Sequence, residues 1–330
     1  MKNIVCFTLL SFLFFSIACG NKEKRKDHRE TGIDKPAVFV PDFNADSAYA
    51  YIETQVAFGP RVPNTEAHKA CALWLKEKLS SFCDEVVMQE VMARAYNNKV
   101  LNGYNIIGSF NPEARKRILL CAHWDSRPYA DHDPDPANHR KPIDGANDGA
   151  SGVGVLLETA RQMSQHKPNI GVDIIFFDLE DYGEPQGTQY NGEYWALGSQ
   201  HWAKSPHSPG YHANFGILLD MVGAPDATFY MEGTSMYFAP QIMRKVWNTA
   251  HKLGYNNYFI KEESSAITDD HLYINQIAKI PTINIIHRDP ETPTGFFKYW
   301  HTVKDNIEHI DPATLNVVGK IVLKVVYNEK

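Results

Sequence analysis

Ile118-Leu119-Leu120-Cys121-Ala122-His123-Trp124-Asp125 is a run of five apolar residues that stops abruptly at groups able to hold a proton or a metal. The pattern recurs downstream. Ile174-Ile175-Phe176-Phe177 runs into Asp178-Leu179-Glu180-Asp181, and Ile217-Leu218-Leu219 into Asp220. A strand that is apolar at every position has two buried faces, so it belongs inside a sheet covered by helices on both sides. Helical covering is supplied by Val153, Leu156, Leu157, Ala160 and Met163, and by residues 242–253 and 315–326. Strands are predicted over residues 85–92, 105–110, 117–122, 172–179, 215–221, 228–232 and 282–286. Residues 46–82 read as two helices separated by the turn Gly59-Pro60-Arg61-Val62-Pro63-Asn64. The sum is one α/β domain with a largely parallel central sheet, spanning residues 41–330.

The chain has 330 residues, 43% hydrophobic, 12% aromatic and 22% charged, enough to bury a sizeable core and incompatible with disorder or collagen-like repeats. Its net charge of −6 and the lack of a basic stripe with interleaved aromatics argue against a nucleic-acid partner. Residues 1–18 read as a secretory signal: Lys2, then an apolar run too short to span a bilayer. Ser16-Ile17-Ala18-Cys19 resembles the bacterial lipoprotein cleavage box, which implies that Cys19 carries lipid. Residues 19–40, rich in Lys, Arg, Glu and Asp, would form a flexible tether. The expectation is a monomer anchored by lipid to a membrane of the bacterial cell envelope, on the periplasmic side, with plain secretion as the alternative. Cys71, Cys83 and Cys121 show no Cys-x-x-Cys spacing; at most one disulfide can form, and Cys71 and Cys121 read as buried thiols.

In an open α/β sheet, ligands bind outside the carboxyl ends of the strands, so the groups that end these runs should converge on one crevice. Asp148, in Gly145-Ala146-Asn147-Asp148-Gly149-Ala150-Ser151-Gly152, and His301, in Tyr299-Trp300-His301-Thr302, join them. Carboxylates and imidazoles without a thiolate suit a catalytic zinc, or a zinc pair, with an open position. Asp125, two residues from His123, is placed to orient its imidazole. Glu180 and Asp181 are adjacent and cannot point the same way, which leaves one to ligate and the other to act as a base. Residues 128–142 read as a solvated loop over the pocket. His166, His207, His251 and His309 read as surface residues, and His287, which also ends an apolar run, as the weakest candidate ligand.

Taken in order, His123-Trp124-Asp125-Ser126, the loop around Asp148, Phe176-Phe177-Asp178-Leu179-Glu180-Asp181, Leu218-Leu219-Asp220 and Trp300-His301-Thr302 resemble the zinc aminopeptidases of the M28 clan. That resemblance implies a phosphorylase/hydrolase-like α/β three-layer sandwich with a central mixed, mostly parallel sheet flanked by helices. Within the clan, Thr268-Asp269-Asp270-His271-Leu272 and the Trp300-His301 pair are similar to the glutaminyl cyclases. The likeness implies zinc-dependent closure of the N-terminal glutamine of peptides and proteins to pyroglutamate, with release of ammonia. By the same resemblance Asp148, Asp181 and His301 would bind one zinc per chain, and Glu180 would shuttle the proton. Asp220 and Asp269 would form a hydrogen-bonded acidic group with Glu180, and Trp300, Phe297 and Trp195 would wall the glutamine pocket. The alternative is a two-zinc aminopeptidase in which His123 and Asp220 help hold a second metal.

Overall fold

The computed structural model describes residues 38–188 and 192–330. Two helices come first, α1 (Ala45–Ala57) and α2 (Glu66–Ser80), then strands β1 (Glu85–Arg94), β2 (Val100–Phe110) and β3 (Arg117–His123). Helix α3 (Ala150–Gln165), strand β4 (Gly171–Phe177), helix α4 (Leu197–Lys204) and strand β5 (Gly216–Asp220) follow. The last third holds β6 (Phe229–Glu232), α5 (Gly233–Phe238), α6 (Pro240–Lys252), β7 (Phe259–Ser264), α7 (Asp270–Tyr273), β8 (Thr282–Ile286) and α8 (Pro312–Asn328). Capping sets the first two starts: the Asn44 side chain accepts from the Ser47 N–H, and the Thr65 hydroxyl from the His68 N–H. The turn between them uses Gly59 at φ +89°, a conformation that favours glycine.

Six strands form one sheet in the order β1-β2-β4-β3-β5-β8. The contacts β3–β4, β3–β5 and β5–β8 are parallel, while β1–β2 and β2–β4 are antiparallel, so the sheet is mixed and mostly parallel at its centre. Its two faces divide the apolar runs by alternation. Ile118, Leu120 and Ala122 of β3 enter a core shared with α1, α3 and α8, and Leu119 and Cys121 enter another with Trp202 of α4 and Ile274. β4 does the same, with Ile174 and Phe176 on one side and Ile175 and Phe177 on the other. Val38 and Val40 also pack against the larger core. These layers are the α/β sandwich expected from the sequence.

Among the described strands, one was not anticipated. β7 pairs with β6 in a separate two-stranded parallel sheet, and its sequence, Phe-Ile-Lys-Glu-Glu-Ser, is too polar to read as a strand. Cys71, Cys83 and Cys121 are all free thiols, and Cys71 and Cys121 are buried. The signal segment, Cys19 and residues 19–37 of the tether lie outside the described residues. Among the described residues no helix is long and apolar enough to cross a membrane.

Candidate metal centre and cleft

The carboxyl ends of the central strands deliver their polar groups to one place. His123 ends β3, Glu180 and Asp181 follow β4, Asp220 ends β5, Asp148 precedes α3, and Asp269 caps the start of α7. Asp148, Asp181 and His301 bring one ligand atom each to within 4.8 Å of one another. The His301 Nε2 is 3.3 Å from Asp181 Oδ1 and 3.6 Å from Asp148 Oδ2. A second group, His123, Asp148 and Asp220, shares Asp148: the His123 Nε2 is 3.0 Å from Asp148 Oδ1 and 3.4 Å from Asp220 Oδ1. Asp181 Oδ2 and Asp220 Oδ1 are buried without a hydrogen-bond partner. Orphaned buried oxygens are costly unless something completes them, and oxygen and imidazole donors in this number fit a zinc with an open position.

The neighbouring structure explains how the groups are held. Gly149 allows the Asp148 loop to close on β3, since a Cβ there would lie 2.5 Å from both the His123 ring and its carbonyl oxygen. Asp305 accepts from the backbone N–H groups of Asn147 and Asp148 at 2.8 and 3.1 Å. Arg61, fully buried, donates to the carbonyls of Trp124 and Gly145 at 2.9 and 2.8 Å. Asp178 accepts from the Leu179 N–H and contacts the His68 Nε2 at 2.8 Å, tying the loop after β4 to α2. Asp125 accepts from the N–H groups of Glu180 and Asp181 at 3.1 and 3.2 Å, whereas the His123 Nδ1 lies 3.5 Å away without a hydrogen bond. Asp125 thus shapes the Glu180 loop as well as standing beside His123, where the His-x-Asp spacing places it. Leu179, Met221 and His301 adopt positive φ (57°, 49° and 54°), a strained conformation for such residues that clusters at functional sites.

Electrostatics separate the acids. Burial pushes the Glu180 carboxyl well above its ordinary value, and Asp269, Asp181 and Asp270 add to the rise against the opposing His123. Burial also raises Asp220, to about 7, assisted by Asp269 and Asp148, while Asp269 itself is raised by burial. Burial pushes Asp148 up as well, but His123, His301 and Arg127 together hold it below its ordinary value. Glu180, Asp220 and Asp269 line one cleft of about 60 Å³ with Trp195, Phe296 and Trp300. Asp269 also accepts from the Asp270 N–H at the start of α7 and from Asn284 Nδ2, the latter at 2.6 Å.

Trp300 stacks on His301 at 3.7 Å between ring centroids, and Trp195 lies parallel to the same ring at 6.4 Å. Phe297, expected in the wall, is instead buried behind it against His287 and Tyr299, and Phe296 takes its place. Adjacent residues of a turn point apart, so only one of the two can face the cleft. His287 is buried outside the metal-binding groups found among the described residues. His166 is exposed, and His207, His251 and His309 are half-buried. Residues 128–142 are not simply solvated: Asp131 and Asp133 are buried, and Asp131 faces His301. Sequence reading also missed Arg61, His68, Arg127 and Asp305; Arg127 and Asp305 adjoin site motifs, whereas Arg61 and His68 carry no such signal.

The profile of peptidase family M28 matches residues 105–326. A Zn-dependent exopeptidase from Parabacteroides distasonis is 58% identical, with a TM-score of 0.87, the match covering 88% of this chain and 100% of that one. A glutaminyl cyclase from Tannerella forsythia is also 58% identical, with a TM-score of 0.86 and the same coverage of both chains. The glutaminyl-peptide cyclotransferase of Bos taurus is 28% identical over 251 residues, which are 66% of this chain and 63% of that protein. The chain thus matches somewhat less than two thirds of that relative's length.

Proposed function

This chain belongs to peptidase family M28, and from that premise we propose that it closes an N-terminal glutamine to pyroglutamate instead of cutting a peptide bond. The observation that carries the reading is Asp269, which α7 brings into the same cleft as Glu180 and Asp220. A third acid beside Asp220 adds negative charge and crowds the place where a peptidase would hold its second metal. The likeness to glutaminyl cyclases of 58% and 28% identity supports the same choice.

Asp148, Asp181 and His301 would hold one zinc per chain, which when bound polarises the side-chain amide carbonyl of the substrate. Everything else falls to side chains. In the reaction the α-amino nitrogen bonds to the amide carbon, the bond from that carbon to the amide nitrogen breaks, and ammonia leaves. Glu180 accepts a proton from the attacking amine and returns it to the departing nitrogen, a task suited to a carboxyl whose proton affinity burial raises well above the ordinary. Trp300, Trp195 and Phe296 wall the glutamine side chain and exclude water, which would otherwise compete as nucleophile.

The purified protein should release ammonia from a Gln-initiated peptide and leave the other peptide bonds intact; free amino acids without ammonia would overturn the proposal. The second reading, a two-zinc aminopeptidase, is favoured by the group His123, Asp148 and Asp220 and by the likeness to a Zn-dependent exopeptidase of 58% identity. It requires two metal ions per chain, so metal content separates the two readings. We further propose that Cys19 anchors a monomer by lipid on the periplasmic side of the cell envelope, where exported proteins whose processing leaves Gln first would be its substrates. Support for that placement comes from the lipoprotein-like box at residues 16–19.

A further inference from the structure

We propose that Arg127 and Asp131 form one clamp on the candidate zinc site, Arg127 fixing Asp181 while Asp131, gripped by Arg127, fixes His301. The clamp rests on the reading of Asp148, Asp181 and His301 as zinc ligands. Arg127 is 1% exposed, and each of its five N–H donors has a partner. Its Nη1 donates to the Asp181 carbonyl and to Asp181 Oδ1, both at 3.2 Å. Its Nε and Nη2 donate to Asp131 Oδ1 and Oδ2 at 2.8 and 2.7 Å, and Nη2 also to the Glu184 carbonyl at 3.2 Å.

Asp131 completes the reach. Its Oδ1 lies 3.5 Å from the His301 Nδ1, a buried ring nitrogen with no hydrogen bond, on the side of the ring away from Asp148 and Asp181, and its Oδ2 accepts from the Gln186 N–H at 2.8 Å. A carboxylate on the far nitrogen fixes the tautomer and orientation of a ligating imidazole. Arg127 also lies over the Trp195 indole at 4.8 Å, and that indole is parallel to His301. A buried ion pair kept for stability alone could be exchanged for apolar side chains at little cost. This one reaches a candidate ligand with each half. Arg127 and Asp131 are therefore positioning residues: they act through Asp181, His301 and Trp195, and neither lines the cleft.

The test measures zinc affinity by competition with a chromophoric chelator, without substrate, on the whole protein and two variants whose zinc-free folding is checked by thermal melting. Asp131→Asn, which keeps shape, should weaken zinc binding about 10- to 100-fold and shift the visible absorption of the cobalt-substituted protein. Arg127→Lys keeps the charge but loses the fork and the flat face over Trp195. It should weaken zinc similarly and in addition raise KM for a Gln-initiated peptide, which Asp131→Asn should leave nearly unchanged. Either variant holding zinc within about threefold of the parent, with an unaltered cobalt spectrum, overturns the clamp. If Arg127→Lys does not fold, the isosteric Asp131→Asn decides the matter alone. A parent that binds no zinc overturns both the ligand assignment and the clamp. Weakened zinc in variants of a parent that releases no ammonia supports the clamp and overturns the cyclase reading alone.

Discussion

Glu180 stands beside a candidate ligand yet belongs to none of the metal-binding groups among the described residues, and it is buried among acids that raise its proton affinity. Replacing its carboxylate by an amide keeps shape and removes the proton carrier. Glu180→Gln should lower kcat about 100- to 10,000-fold while zinc content per chain, read by atomic emission, stays at the parent value. Activity within about tenfold of the parent would remove Glu180 from its role. The sign of the pH dependence follows from the neighbours. Glu180 must be ionised to accept a proton, so kcat/KM falls as pH drops through its raised value. Asp269 is one cause of that rise, and Asp269→Asn should therefore move the acid limb of the profile to lower pH. A limb that stays put or moves up would show that Asp269 does not act on Glu180. Among the candidate ligands, His123, Asp181 and Asp220 were legible because acids and histidines interrupt apolar runs where strands end, whereas Asp148 and His301 stood out only through the motifs around them. Arg127 and Asp131 were not, since a charged loop residue looks solvated until the fold buries it, and which of Phe296 and Phe297 faces the cleft depends on a turn that sequence spacing does not define.

Elements fix where those residues arrive, and the short helix α7 is the weakest of them on its own terms. Its position depends on a buried pair, His271 Nε2 with Glu232 Oε1 at 2.9 Å, that ties α7 to the start of α5, where Glu232 also accepts from the Thr234 N–H at 2.9 Å. Burial pushes Glu232 up from 4.5, but its bonds to His271 and Ser235 win and hold it lower. Its share of stability is present above that ordinary value and is lost as pH falls through the lowered one. Burial pulls His271 down from 6.5, but Glu232 wins and holds it higher. That share is present below 6.5 and fades as pH rises through the raised value. His271→Gln should thus cost about 3 kcal/mol near pH 5.5 and clearly less near pH 9, measured by urea unfolding of the zinc-free protein. An equal loss at both pH values would mean that the pair is not ionic. Packing of α3 on β5 permits a sharper change: a Cβ on Gly152 would lie 2.3 Å from the Leu219 carbonyl oxygen. Gly152→Ala should cost about 1–3 kcal/mol in the same experiment, and a neutral result would show that α3 has room to shift. The long elements were readable because burial dictated their pattern, as in β3 and α8. β7 and α4, α5 and α7 were not, being short or polar and held by contacts with distant segments.

At the scale of the molecule, a mixed sheet buried on both faces leaves its carboxyl edge as the one place where several strands can offer polar groups to a common ligand. The apolar runs made that sheet legible from sequence, whereas its order β1-β2-β4-β3-β5-β8 depends on which strands pair, a long-range choice that no local pattern records. The cost of this design is electrostatic. Asp148, Glu180, Asp181, Asp220 and Asp269 are buried in one cleft, and only some have a cationic neighbour. Without a divalent ion, folding must either protonate these acids or keep them apart; with one, the attraction offsets their repulsion. Zinc should therefore bind the folded chain and not the unfolded one, and free zinc at about 100 times Kd should add about 2.7 kcal/mol to stability. In a chain of this size that corresponds to a rise in melting temperature of about 5 °C, reversed by a chelator. Asp148→Asn, which alters the residue shared by the two candidate metal-binding groups in the cleft, should melt at the same temperature with zinc or chelator. If the parent's melting temperature does not respond to zinc, or if Asp148→Asn responds as strongly as the parent, the ion is not held at the end of this sheet, and the acids gathered there need another explanation.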